Sequence, residues 1–300
     1  MRISTGQIYQ QGVSTMLEAQ SSLAKTQQQL ATGQRLLAPS DDPFAATRIL
    51  QLNQVIETTT QYQRNANLAD VRLGLEENVL SDVGDVLQRV RELAVRANND
   101  TLGAGDRGAI AQEVRASLDS LIQLANTQDS NGEYLFAGFQ INTRPFSDDG
   151  AGNFSYNGDQ GVRSLQIGAN RKVSIGDSGD NVFMRVDDGA GGISSMFDTL
   201  YEFAVDLEAN APSTTTLSRL DSALDSVLTT RSTVGARMNA IESQRNANDS
   251  FSLVLQENRS TLEDLDYAEA VSRFEQQMLA LQASQQSYIK IQGLSLFNYL

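Results

Sequence analysis

Both ends of this 300-residue chain carry the same seven-residue apolar repeat. Near the N-terminus, Tyr9, Met16, Leu23, Leu30 and Leu37 recur at intervals of seven. Near the C-terminus, Tyr267, Phe274, Leu281 and Tyr288 do the same, with Val271 and Met278 at the four-residue offset. This spacing makes one apolar stripe per helix, which must be covered by another helix. Charge is nearly absent from both segments: residues 1–40 hold only Arg2, Glu18, Lys25 and Arg35, and residues 276–300 only Lys290. Helices with apolar seams and uncharged, Gln-rich backs are expected to be surrounded by other chains. The alternative is an ordinary helix pair inside one soluble domain. The spacing alone leaves open whether the two ends pair with each other, with neighbours, or with both.

The charge balance sharpens this division. Of a formal net charge of −14, the two ends contribute +3, so residues 41–275 carry −17. An acidic middle argues against nucleic acid or an anionic membrane as partner, because both require clustered Lys and Arg. The chain has no Cys, His or Trp, which removes disulfides, thiolate metal sites and the commonest general base. There is no apolar run of about 18 residues to span a membrane. The start, Met1-Arg2-Ile3-Ser4-Thr5-Gly6-Gln7, lacks the apolar core of a cleavable signal. Export, if it occurs, is expected to remove nothing.

Along the chain, residues 3–36 read as one helix of about 50 Å, expected to stop near Pro39 because a residue preceding proline is driven out of the helical region. Ser40, Asp41 or Asp42 is placed to cap a second helix that begins around Pro43 and keeps its apolar rhythm to about Asn98. A turn over 98–105 leads into a third helix, about 106–129, which folds back on the second as an antiparallel hairpin. From Glu133 to Val186, short β-type runs alternate with turn residues. These runs are Tyr134-Leu135-Phe136, Asn153 to Tyr156, Val162 to Ile167, Lys172 to Ile175 and Val182-Phe183-Met184, with Asp149-Gly150 and Asn157-Gly158 as hairpin-turn dipeptides. Gly189-Ala190-Gly191-Gly192 closes this region. Helix resumes at Ile193, breaks at Ala211-Pro212-Ser213-Thr214, and is nearly continuous from Leu217 to the end. The expected fold is mainly α with a β insertion: a long antiparallel helical rod, coiled-coil helices at both termini and a small central β domain. The expected domains are a terminal assembly domain (1–42 and 264–300), a helical rod (43–132 and 193–263) and a β-rich outer module (133–192).

Catalytic chemistry finds little support. Without histidine there can be no H-E-x-x-H zinc site and no Ser–His or Cys–His nucleophile. The adjacent carboxylates Asp41/Asp42, Asp148/Asp149 and Asp187/Asp188 read as turn and cap residues. Gly176-Asp177-Ser178-Gly179-Asp180-Asn181 lacks the twelve-residue calcium-loop pattern and reads as a hairpin loop. Gly189, Gly191 and Gly192 make no dinucleotide fingerprint. The Asn-x-Ser/Thr triplets at Asn99, Asn153, Asn248 and Asn258 say nothing without a glycosylating compartment, and Arg89, Arg91, Glu92 and Arg96 read as a solvated or salt-bridged helix face. No catalytic residue, metal ligand or cofactor is expected.

Several segments resemble the flagellin superfamily, and within it the hook–filament junction proteins. They are Met1 to Thr5, Gln29 to Pro43, Leu87 to Ala94, Asn131 to Gly138, Gly235 to Asn239, Leu262 to Asp266 and Ser295 to Leu300. The likeness covers the whole chain except the middle of the β region. It implies a non-enzymatic structural adaptor of the bacterial flagellum, exported unfolded through the type III apparatus and assembled outside the cell. It further implies a ring-like homo-oligomer at the hook–filament junction, with hook-associated protein 1 below and flagellin above. The C-terminal helix, about residues 260–300, is similar to the segment an export chaperone holds before secretion. Assembly contacts are expected at Tyr9, Met16, Leu23, Leu30, Leu37, Tyr267, Val271, Phe274, Met278, Leu281, Tyr288, Leu296 and Phe297. Flagellins usually read Ser-Gly-Leu-Arg-Ile-Asn, then Asp-Asp-Ala, where this chain has Thr32 to Leu37 and Asp41-Asp42-Pro43. A short flagellin forming the filament itself, or a secreted coiled-coil adhesin, are the alternatives.

Overall fold

The structure, a computed structural model, describes residues 5–188 and 192–293. Its elements in chain order are helices α1 (Thr5–Thr32), α2 (Pro43–Ala97) and α3 (Ala104–Ala125), strands β1 (Phe146–Asp148), β2 (Phe154–Tyr156), β3 (Ser164–Gly168) and β4 (Arg171–Ser174), a π-helical turn (Asp180–Met184), strands β5 (Val186–Asp187) and β6 (Ile193–Ser194), and helices α4 (Met196–Glu208), α5 (Thr215–Glu263) and α6 (Tyr267–Gly293). The chain thus has the mainly helical class with a β insertion. It divides into two compact units: residues 1–58 with 251–300, and residues 59–250.

The larger unit, 59–250, contains nearly all of the core. On α2, Leu73, Leu80, Val83, Leu87, Val90 and Leu93 are buried at helical spacing. They pack with Ile110, Val114, Leu118 and Leu121 of α3 and Leu220, Val227, Val234 and Ile241 of α5. Removing these side chains from water, at about 25 cal/mol per Å² of apolar surface, is the main stabilising term. The expected α2–α3 hairpin is present, its turn fastened by Arg107, whose Nε donates to Ala97 O at 3.2 Å. Helix α4 packs on α3, and Ser195 caps it, its Oγ accepting the Asp198 N–H at 2.9 Å.

The β strands form three separate antiparallel hairpins, β1–β2, β3–β4 and β5–β6, rather than one sheet. Asp149-Gly150 turns the first, with Gly150 at φ +76°, the left-handed region where glycine costs least. Asn157-Gly158 lies outside the hairpin turns, and its Asn157 N–H donates to Pro145 O. Two expected β runs differ. Leu135 and Phe136 are buried in irregular backbone, and Val182-Phe183-Met184 belongs to the π-helical turn. The reason is aromatic packing. Phe183 meets Phe136 edge-on at 5.1 Å and Phe146 at 5.3 Å, while Phe146 also lies 5.1 Å from Phe197 of α4. That cluster holds hairpins too short to be stable alone.

In the smaller unit, α1 and α6 pack along each other. Tyr9 near the start of α1 lies against Tyr288 near the end of α6, so the pair is antiparallel. Helix α1 stops at Thr32, short of the expected residue 36. Its stop signal is Gly33 (φ +71°), a left-handed helix terminator, and Pro39 lies beyond it. The expected continuous C-terminal helix is likewise broken, at Asp264-Leu265-Asp266, and Asp266 caps α6 by accepting the N–H groups of Ala268 (2.9 Å) and Glu269 (3.2 Å). Among the open choices at the start of α2, Asp42 is the cap, its Oδ1 accepting the Ala45 N–H at 3.0 Å.

Candidate assembly interface

The two helix breaks in the smaller unit face each other. Gly33 O accepts the Leu265 N–H at 3.0 Å and Arg35 N–H donates to Glu263 O at 2.8 Å, closing a short antiparallel bridge between Gln34 and Asp264. Side chains reinforce it. Gln34 Nε2 donates to Glu263 Oε1 at 3.0 Å, and the Arg35 guanidinium donates to Leu262 O through Nε (3.2 Å) and Nη2 (2.9 Å). The Ser260 hydroxyl is also hydrogen-bonded to the Asp264 carboxylate. Every backbone group freed where a helix ends costs free energy unless it finds a partner, and here the two breaks satisfy one another.

The connector 33–42 is held by Asp41. Lys25 Nζ lies 2.5 Å from its Oδ1, while the N–H groups of Leu37 (3.2 Å) and Ala38 (3.3 Å) donate to Oδ2. The Lys25 ammonium and these donors hold the Asp41 carboxyl below its ordinary pKa. Buried Gln29 closes the other side, its Nε2 donating to Arg35 O at 2.6 Å.

The predicted interface residues fall into two sets. Met16, Leu23 and Leu30 of α1 and Phe274, Leu281 and Tyr288 of α6 are half-buried, as the seam of an antiparallel pair requires. Tyr9 rests its ring 5.1 Å from that of Tyr288 while remaining exposed. A Cβ at Gly12 would sit 3.6 Å from the Tyr288 ring, an ordinary contact distance. In contrast, Tyr267, Val271 and Met278 are 55%, 47% and 40% exposed. They stand one above another on α6, at spacings of four and seven, and form a second apolar row outside the seam. Leu37 is half-buried in a shallow apolar groove with Leu36, Ala38, Pro39, Ala46, Ile49 and Leu50. Leu296 and Phe297 lie outside the described residues.

The heptad spacing put Tyr267, Val271 and Met278 in one stripe with the half-buried Phe274, Leu281 and Tyr288, and it carries no sign of the polar bridge. Gly33 was legible as a left-handed helix stop, whereas the pairing with 263–265 joins residues more than two hundred positions apart. Among the described residues, no group of three or more His, Cys, Asp or Glu side chains converges as a metal site, and no helix is long and apolar enough to cross a membrane. Asp177, read as part of a loop, instead gives both carboxylate oxygens to Arg237 at 2.8 and 2.9 Å.

Comparison with known proteins matches both ends of the chain. Residues 3–141 fit the bacterial flagellin N-terminal helical region and residues 217–300 the bacterial flagellin C-terminal helical region. Flagellar hook-associated protein 3 of Escherichia coli K12 is 33% identical over 316 aligned residues that cover 99% of both chains. Among solved structures, hook-associated protein 3 from Legionella pneumophila superposes with a TM-score of 0.68 at 24% identity, covering 71% of this chain and 98% of that one. A second Legionella pneumophila structure, of the flagellar junction protein FlgL, gives 0.63 at 23% identity over 72% and 99%.

Proposed function

Because the chain belongs to the flagellar hook-associated protein 3 family of the flagellin superfamily, we propose that this flagellar component is a non-enzymatic adaptor at the hook–filament junction. In this reading it polymerises as a ring, with hook-associated protein 1 on the hook side and flagellin on the filament side. It reaches that place outside the cell by type III export, with the segment around 260–300 held by an export chaperone beforehand. Residues 1–42 and 264–300 form the assembly domain, 43–132 and 193–263 a helical rod, and 133–192 an outer β module.

One observation carries the assembly reading. The smaller unit contains the α1–α6 pair, which leaves Tyr267, Val271 and Met278 of α6 exposed as an apolar row that Ile289 (65%) continues. Such surface is unfavourable in a monomer and is the usual mark of a protein–protein contact. The half-buried set, Met16, Leu23, Leu30, Phe274, Leu281 and Tyr288, then serves pairing within the chain, and the exposed row serves neighbours. The 33%-identical relative, a flagellar hook-associated protein, supports placing that contact at the hook.

The test is a strain lacking this chain. Hooks should form and remain without attached filaments, and flagellin should appear in the medium. Filaments that persist on those hooks would refute the junction role and favour a filament subunit or an adhesin.

A further inference from the structure

Within the larger unit, one carboxyl is out of balance with its surroundings. Glu76 of α2 is 1% exposed. Its Oε1 accepts the Asp177 N–H at 3.0 Å, and its Oε2 is buried with no hydrogen-bond partner. Charged groups from five segments surround it. Arg72, one turn back on α2, donates to Asp129 (3.0 Å) and Glu133 (3.3 Å) in the loop after α3. Arg163, ahead of β3, donates to the same Glu133 oxygen at 2.7 Å. Asp177, beyond β4, is clamped by Arg237 of α5. Next door, Glu77 also has a buried Oε2 with no hydrogen-bond partner, but its charge is matched by Arg231 of α5, which donates to Oε1 at 2.8 Å; Glu76 has no such arginine.

The charges decide the protonation state. Arg72, Arg163 and Arg237 are balanced one for one by Asp129, Glu133 and Asp177, and Glu77 by Arg231. The cluster is therefore neutral when Glu76 carries a proton and one negative charge in excess when it does not. An uncompensated charge in a dry site costs several kcal/mol in general, so the group keeps its proton. The bare Oε2 is where that proton sits, because Oε1 already has a donor.

We propose that Glu76 is a proton-held lock. Protonated, it lets the segment after β4 close onto α2; deprotonated, it forces that segment open to water. The inference is independent of the assembly reading, since it concerns only residues 59–250. Burial, then the neighbouring Asp177 carboxylate, push Glu76 from its ordinary 4.5 up to about 8, against the pull of the Asp177 N–H and the two arginines. Between these values the folded chain binds a proton that the unfolded chain does not. Stability therefore falls as pH rises through that window, and the full loss is present above about pH 8.

The experiment is amide hydrogen exchange of the full chain from pH 6 to 9.5, corrected for intrinsic exchange rates. Protection around residues 175–179 should fall roughly tenfold for each pH unit from 6 up to the folded-state value near 8, and level off above it. Glu76→Gln, neutral at every pH, should abolish that dependence, whereas Glu77→Gln should retain it. The same pH profile in the native chain and in Glu76→Gln would overturn the lock. Should Glu76→Gln fail to fold, carbon-13 NMR of the native Glu76 carboxyl decides alone. A titration midpoint above 7 supports the proposal, and a midpoint near 4.5 refutes it.

Discussion

The two units differ in how much of their apolar surface they cover themselves. In residues 59–250, long apolar side chains such as Leu73, Leu80, Leu87, Phe136, Phe183 and Phe197 are fully buried. In the other unit the buried apolar residues, among those described, are only Ala45, Leu52, Leu255, Leu265 and Ala270. That same unit leaves Phe44 (83%), Leu50 (70%) and Leu253 (67%) to solvent. The larger unit builds a continuous core, though it too exposes Val71 (72%) and Phe139 (62%). The smaller has a specified backbone, fixed by caps and a bridge, but covers little of its own apolar surface; in the proposed assembly, neighbours would cover it. Its stability should therefore follow the concentration of its partners, as binding linkage requires.

The contrast can be broken most forcefully at Phe197, which is fully buried among Phe146, Phe154 and Phe183. Phe197→Ala should destabilise the larger unit by about 3–5 kcal/mol, measured by denaturant unfolding of the isolated chain. A loss comparable to that of a surface substitution would mean the aromatic cluster is not its core. Next, Phe274→Asp places a charge in the half-buried α1–α6 seam. It should abolish incorporation into the flagellum while leaving the thermal transition of the larger unit unchanged. Normal incorporation of this variant would remove the seam from the assembly account. The smallest effect is expected for Gly33→Ala. Its positive φ and a Cβ 2.7 Å from the Tyr267 hydroxyl should cost about 1–2 kcal/mol. Hydrogen exchange should register that cost at Leu265 and Arg35, whose N–H groups close the bridge, and leave the α4 amides untouched.

The same contrast explains what was legible in the sequence. Helices α2 and α3 were readable to within a few residues because helical periodicity and the Asn98–Gly105 turn signals agree. The seam was readable because heptads are local. The Val182-Phe183-Met184 run was misread as a strand because a short apolar stretch has the same appearance in either conformation, and ring packing against Phe136 and Phe146 settles it. The break at Asp264-Leu265-Asp266 was hidden in a continuous helical pattern, since no proline or glycine marks it. Glu76 carries no local signal in the sequence. Its setting arises from Asp177 and Arg237, far away in sequence, and only the fold brings them together.

The Gln34–Asp264 bridge has a consequence for how the two ends of such a chain can change. Both arms start from it, so it acts as a common zero mark for their heptads. One residue inserted into α1 would swing everything beyond it by about 100° and part Tyr9 from Tyr288. Seven residues would add two turns and keep the face, but would leave α1 overhanging unless α6 grew by the same amount. The bridge thus ties the lengths of the two arms together, so that a change in one that keeps the paired face calls for a matching change in the other.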